Sequence, residues 1–142
     1  MLDIREPRTA GDYALYYDLR WRILRQPWTQ EKQTERDEHE SDAVHLMAWR
    51  EGKLLGVGRL HLNPAGEAQI RYMAVEEGHN GSGVGSAILK ELESRAALRG
   101  VKAIVLNARD GARRFYEKHG YAVVREGGLL FGIVHWEMRK TL

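Results

Sequence analysis

The sequence predicts an α/β domain, a mixed sheet of about six or seven strands with helices on both faces. Three observations carry this. Short apolar alternations broken by turn signals run from Val44 to Val75 and read as consecutive antiparallel strands. A glycine-rich run, Asn80 to Ser86, follows the third of them and leads into a helical segment. A buried-strand pattern then returns from Val101 to Leu106. A strand–helix–strand order implies a parallel pair with a right-handed crossover, so the sheet is mixed.

Taken in order, Leu2 to Glu6 alternates as a short first strand. Thr9 or Asp12 can cap the next helix, which ends before Pro27. Its Tyr13, Tyr16, Tyr17, Arg20, Ile23 and Leu24 fall at three- and four-residue spacings. The polar stretch Thr29 to Asp42 reads as a loop or a second, short helix. Val44 to Trp49 and Lys53 to Leu62 form a hairpin about Glu51-Gly52. Asn63-Pro64-Ala65-Gly66 is the next turn, and Glu67 to Val75 completes an antiparallel meander. Gly83 to Arg99 is helical, with Leu89, Leu92 and Ala96 as its apolar stripe and Gly100 as its stop. After the strand at Val101, Asp110 caps a helix that carries Phe115 and Tyr116 and ends at Gly120. Tyr121 to Arg125 and Phe131 to Arg139 are the last strands, with Gly127-Gly128 between them. No repeat or linker divides the chain, so residues 1–142 read as one domain.

A hydrophobic fraction of 43% is enough for a core, and 30% charged residues suit a solvated surface. No apolar run reaches the roughly 18 residues that span a bilayer. Met1-Leu2-Asp3-Ile4-Arg5-Glu6 lacks the apolar centre of a signal peptide. The expectation is a cytoplasmic protein with no membrane partner. The absence of cysteine excludes disulfides, thiolate nucleophiles and thiolate metal sites. A net charge of +2 without a basic block argues against nucleic acid. His39, His45, His61, His79, His119 and His135 are scattered without ligand spacing, so no metal is expected.

Gly81, Gly83 and Gly85 remove the side chains that would hold an anion away from the backbone. A helix beginning there aims unpaired amides and the positive end of its dipole at the same point. Asn80, Gly81, Ser82, Gly83, Val84, Gly85 and Ser86 are therefore candidates to cradle a phosphate or pyrophosphate. The dinucleotide fingerprint fails because Ser86 stands where its third glycine belongs. The P-loop fails because Val84 stands where its lysine belongs.

Three segments in order resemble the GNAT superfamily of N-acetyltransferases, from Leu2 to the end of the chain. Met73-Ala74-Val75 followed by Asn80 to Gly85 is similar to that family's acetyl-CoA loop, with Asn80 where Gln or Arg is usual. Leu106-Asn107-Ala108-Arg109, Ala112 and Phe115 to Tyr121 resemble its following strand and F-Y-x-x-x-G-F/Y segment. Gly132-Ile133-Val134-His135-Trp136-Glu137-Met138 resembles the G-I-x-H-x-x-M strand that ends some bacterial members. The resemblance implies a mostly antiparallel sheet whose parallel pair splays apart. It implies acetyl-CoA as acyl donor, its pantetheine arm paired with backbone at Met73, Ala74 and Val75 as an added strand. Plain core packing is the alternative for Met73 and Val75. Asn107 could bond the arm's amides, and Arg113 or Arg114 the coenzyme phosphates.

The implied reaction is acetyl transfer to a primary amine by direct attack in a ternary complex. Tyr116 would protonate the leaving thiolate, and a main-chain amide near Val75 would stabilise the oxyanion. For the general base, Gln69 occupies the position where some members carry glutamate, which leaves Glu67, His61, His135 or ordered water. The acidic run Glu35 to Asp42, placed by the resemblance beside the acceptor pocket, could draw in a cationic amine. Trp21 and Trp28 could wall the pocket. The acceptor would be a small-molecule or peptide amine, and an exposed final strand could pair across a homodimer. The rivals are a non-catalytic acyl-CoA sensor or scaffold of the same fold, and a domain that binds the phosphates of another nucleotide.

Overall fold

The computed structural model describes residues 1–142. In chain order the elements are β1 (Asp3–Arg5), α1 (Ala10–Leu24), β2 (Val44–Arg50), β3 (Lys53–Asn63), β4 (Glu67–Val75), α2 (Val84–Leu98), β5 (Ala103–Arg109), α3 (Arg113–Lys118), β6 (Ala122–Leu130) and β7 (Ile133–Thr141). Single 3₁₀ turns occupy Gln26–Trp28 and Asp110–Ala112. The strands make one seven-stranded sheet in the order β1-β2-β3-β4-β5-β7-β6. Only β4 and β5 run parallel, as the crossover through α2 requires. No helix is long and apolar enough to cross a membrane.

Two cores lie on the two faces of the sheet. α2 and α3 cover one through Val84, Ile88, Leu89, Leu92 and Tyr116, against Leu46, Leu60, Ile70, Ile104 and Leu106. α1 covers the other through Tyr16, Leu19 and Leu24, against Met47, Val57, Tyr72 and Ala74. α2 approaches the sheet so closely that a Cβ on Gly56 would lie 2.6 Å from Val84 and one on Gly58 2.7 Å from Ile88. Glycine at these strand positions makes room for the helix.

α1 begins where the sequence indicates, with the Thr9 hydroxyl accepting from the Asp12 amide at 3.0 Å. Residues 29–42 form a run of turns with no helix. Three local expectations are corrected. Asp110 does not cap α3; its carboxylate accepts from the Trp136 indole at 2.8 Å. Gly127-Gly128 is not the last turn but lies inside β6, which is bulged between Glu126 and Gly128. The turn is Phe131-Gly132, both left-handed at φ 53° and 75°. The final strand is not exposed at an edge, because β7 lies between β5 and β6 and the free edge is β6.

Candidate active site

Pairing between β4 and β5 runs only from Glu67↔Ala103 to Ile70↔Leu106. Beyond that point β4 stays with β3, up to Gly56↔Val75, and β5 stays with β7, up to Arg109↔His135. The facing edges, Arg71 to Val75 and Asn107 to Arg109, have lost their mutual ladder. The parting expected of the parallel pair is present.

A bulge in β4 accompanies it. Val57 faces Ala74 and Arg59 faces Arg71, so Tyr72 and Met73 together oppose Gly58 alone. Tyr72 takes φ 60°, a conformation that bulky residues rarely adopt. The bulge turns Tyr72 and Ala74 into the α1 core and Met73 and Val75 towards the α2 core. Of the three residues proposed to meet the coenzyme, Ala74 thus offers only its main chain.

The parting opens a cavity of about 430 Å³. Met73, Ala112 and Tyr116 line it on the α2–α3 side, and Arg25, Gln69, Arg71, Asn107, Arg109 and His135 on the α1 side. Tyr116 is nearly buried between Phe115 and Tyr121. Burial holds its phenol well above the ordinary value, so it stays protonated.

At the end of β4 the chain turns through Glu76–Gly83 into α2. Gly83 occupies the cap position at φ 87°, with no side-chain cap and open space where a Cβ would point. Asn80 does not take the capping role open to a short amide. Among the amides here, Ser82 bonds to His79 and Ala87 to Gly83, while those of Gly83, Val84, Gly85 and Ser86 have no partner in the chain. Val84 itself is buried in the core, so it contributes backbone rather than side chain. A Cβ on Gly85 would come within 3.3 Å of Phe115, which ties the loop to α3. Arg113 pairs with Glu117 at 3.6 Å and lies over Trp136, whereas Arg114 is exposed beside a shallow depression shared with Asp110 and Gly111.

The candidate bases separate clearly. Glu67 is ion-paired with Arg139 at the closed end of the strand pair. His61 stacks on His39 at 3.9 Å, and its Nδ1 accepts from the Arg59 guanidinium at 2.8 Å. His135 alone of the three lines the cavity. Its Nδ1 lies 2.9 Å from the Ile133 carbonyl, an obligate acceptor, so Nδ1 is the donor, and in the neutral ring the lone pair is on Nε2.

Within the acidic run Asp37 and Glu40 are ion-paired, whereas Glu38 and Asp42 stay exposed. Asp37 takes Arg59 at 2.5 Å and Arg71 at 2.7 Å; Glu40 takes Arg59 at 2.7 Å and Arg20 at 2.9 Å. Arg20 and Arg59 are fully buried, and both lie over the Tyr72 ring, at 4.3 and 5.0 Å. Burial pushes the Asp37 pKa up, but the Arg59 and His39 hydrogen bonds and the charges of Arg59 and Arg71 outweigh it, leaving the net value well below the ordinary one. Of the two tryptophans, Trp28 stacks on Phe131 at 6.3 Å and under Arg109 at 4.3 Å, next to the cavity. Trp21 instead donates to the Gln30 carbonyl and secures the turn segment.

Arg25, Arg71, Tyr72 and Phe131 are site residues that the sequence does not announce, and Arg109 has no role in the segment that resembles the family. No local pattern marks them, because the bulge and the return of α1 over the sheet bring them together.

Known proteins share this fold. An uncharacterized N-acetyltransferase, YjcF, of Bacillus subtilis is 37% identical over 105 residues, 73% of this chain and 74% of the relative. The structure of an acyl-CoA N-acyltransferase from Pseudomonas aeruginosa superposes with a TM-score of 0.80 at 26% identity, covering 99% of this chain and 98% of that one. The PaiA N-acetyltransferase from Thermoplasma acidophilum, solved in complex with coenzyme A, shares the fold with a TM-score of 0.81 at 18% identity, over 100% and 99% of the two chains. Residues 13–121 match the Acetyltransferase (GNAT) family. With its parted parallel strands and its glycine loop at the start of α2, this chain belongs to that family of acetyltransferases.

Proposed function

We propose that the protein moves an acetyl group from acetyl-CoA to a primary amine by direct attack in a ternary complex. The observation that carries this is the end of β4–β5 pairing at Ile70↔Leu106, beside a loop whose amides at Gly83 to Ser86 are unpartnered. A pantetheine arm would complete the inner edge of β4 as a surrogate strand at Met73, Ala74 and Val75, with Asn107 across from it. The diphosphate would sit on Asn80 to Ser86, where amides rather than side chains do the holding. Arg114, on the neighbouring surface, would meet a further phosphate. That the PaiA enzyme binds coenzyme A on the same fold supports the assignment.

The chemistry follows from the two walls of the cavity. His135 Nε2 accepts the proton that the amine sheds as its lone pair forms the C–N bond. A main-chain amide near Val75 stabilises the thioester oxygen as charge builds on it. Tyr116 gives its proton to the sulfur as the C–S bond breaks and recovers one from water. Its raised pKa does not forbid this, since the same burial raises the pKa of a thiol beside it.

The rival reading, an acyl-CoA sensor that catalyses nothing, draws on one observation: no carboxylate lines the cavity to serve as base. Thiol release from acetyl-CoA, measured against a panel of amines, separates the two. Transfer predicts turnover with at least one amine and a loss of about a hundredfold or more in Tyr116→Phe at unchanged acetyl-CoA affinity. Undiminished turnover in that variant removes Tyr116 from the role of acid. A sensor binds acetyl-CoA and releases no thiol with any amine.

A further inference from the structure

The α1 side of the cavity carries three arginines and no carboxylate. Two of them converge on one point: Arg25 Nη1 and Arg109 Nη2 each donate to the Leu24 carbonyl, both at 2.9 Å. The other hydrogen bond of Arg25 goes to the Thr34 carbonyl at 3.0 Å. Neither residue is ion-paired, in contrast to Arg20, Arg59 and Arg71, which all meet Asp37 or Glu40. Arg25 is only 7% exposed. The charge of Glu35 also acts on Arg25, but that carboxylate is hydrogen-bonded to Arg36 instead; a buried guanidinium whose hydrogen bonds go only to neutral acceptors, beside another of the same sign, is stabilised by an anion that completes the site. Burial depresses the pKa of Arg109, and after burial the largest cause is the charge of Arg25.

Aromatic rings flank both cations. Phe131 lies under Arg25 at 5.2 Å and Trp28 under Arg109 at 4.3 Å, fixing each guanidinium plane without neutralising it. His135 stands opposite Arg109 in the β5–β7 ladder, so the proposed base and the cations share one wall.

We propose that the acceptor is an amine that itself carries an anionic group, a carboxylate or a phosphate, held by Arg25 and Arg109 while the amine points to His135. This rests on the acetyltransferase reading for the reaction, but the anion site stands or falls by binding alone. It stands in place of the expectation that the field of the acidic run selects the acceptor by drawing in a cationic amine.

The test pairs probes that differ only in the acid. Free amino acids are compared with their amides, and O-phosphoethanolamine with ethanolamine, as substrates in thiol release. N-acetylated amino acids are compared with their amides by calorimetry on the coenzyme A-loaded protein. The acid-bearing member of a pair is expected to be preferred by at least about tenfold, the worth of one charge-assisted hydrogen bond. A preference among the carboxylates alone, or among the phosphates alone, names the group. Arg109→Gln is expected to erase the preference with acetyl-CoA affinity retained; Arg71→Gln, whose partner is Asp37, is expected to reduce it less. Arg25→Lys, which keeps a charge but not the fork, provides a second variant should Arg109→Gln fail to fold. Equal handling of acids and amides, or a preference that survives in Arg109→Gln and in Arg25→Lys, overturns the proposal. If the acids bind selectively and lose that selectivity in the variants while no amine releases thiol, the anion site holds and the transfer reading fails.

Discussion

Tyr72 joins the two parts of the α1 side. Its left-handed backbone makes the bulge in β4, and its ring lies within 5.6 Å of the guanidinium carbons of Arg20, Arg25, Arg59 and Arg71. Three of these, Arg20, Arg59 and Arg71, belong to a network with Asp37 and Glu40, and Arg20 and Arg59 are its fully buried members; removing a partner there strands a buried charge. Arg59→Met is therefore expected to cost about 3–5 kcal/mol, read from urea denaturation midpoints. The same network gives stability an acid limb. Burial, the first cause, lowers the folded pKa of His45 below its ordinary 6.5. The folded pKa of Asp37 is likewise below its ordinary 3.8. Both groups bind protons more readily unfolded, so their contributions are complete above the unfolded values and disappear as pH falls through the folded ones. The melting temperature is expected to decline below about pH 6.5 and again below about pH 4. His45→Gln is expected to weaken the first decline and leave the second; an unchanged profile would show that His45 does not govern it.

At the scale of elements, the join from β4 into α2 holds the greatest share of the proposed function in the fewest residues. Gly83 needs φ 87°, and no heavy atom lies within 4 Å of where its Cβ would be. Valine there meets backbone strain of about 1–3 kcal/mol but no clash. Gly83→Val is accordingly expected to keep its circular dichroism spectrum and lose at least about tenfold in acetyl-CoA affinity. Normal affinity in a folded variant would refute the amide cradle. This element was legible in advance, since a need for positive φ and a run of small residues are local properties. The bulge was not, because Arg71-Tyr72-Met73 carries no glycine to announce it. The last hairpin misled for the opposite reason: Gly127-Gly128 looks like a turn, yet its glycines serve a bulge within β6, and Phe131 takes up one turn position.

Across the whole molecule, the sheet depends on β3–β4 contact at one end and β5–β7 contact at the other, with the parted β4–β5 edges between. A ligand that fills the gap binds only the folded chain. Acetyl-CoA at a hundred times its Kd is expected to stabilise by about 2.7 kcal/mol, a melting shift of several degrees. ATP and NAD at equal concentration are expected to shift it less; an equal shift would favour a general nucleotide site. The chain's own order of residues determined the strand and helix succession, the parallel pair and the glycine loop, because periodicity, turn chemistry and left-handed backbone are properties of neighbours. Tertiary structure alone decided that Asp37 and Glu40 of the acidic run are neutralised, that His135 rather than Glu67 or His61 faces the cavity, and that Arg25 and Arg109 share a carbonyl. Those outcomes depend on contacts such as that between Arg109 and Leu24, 85 positions apart in the chain. Charge pairing across such distances is set by register and packing, which no short stretch of residues contains.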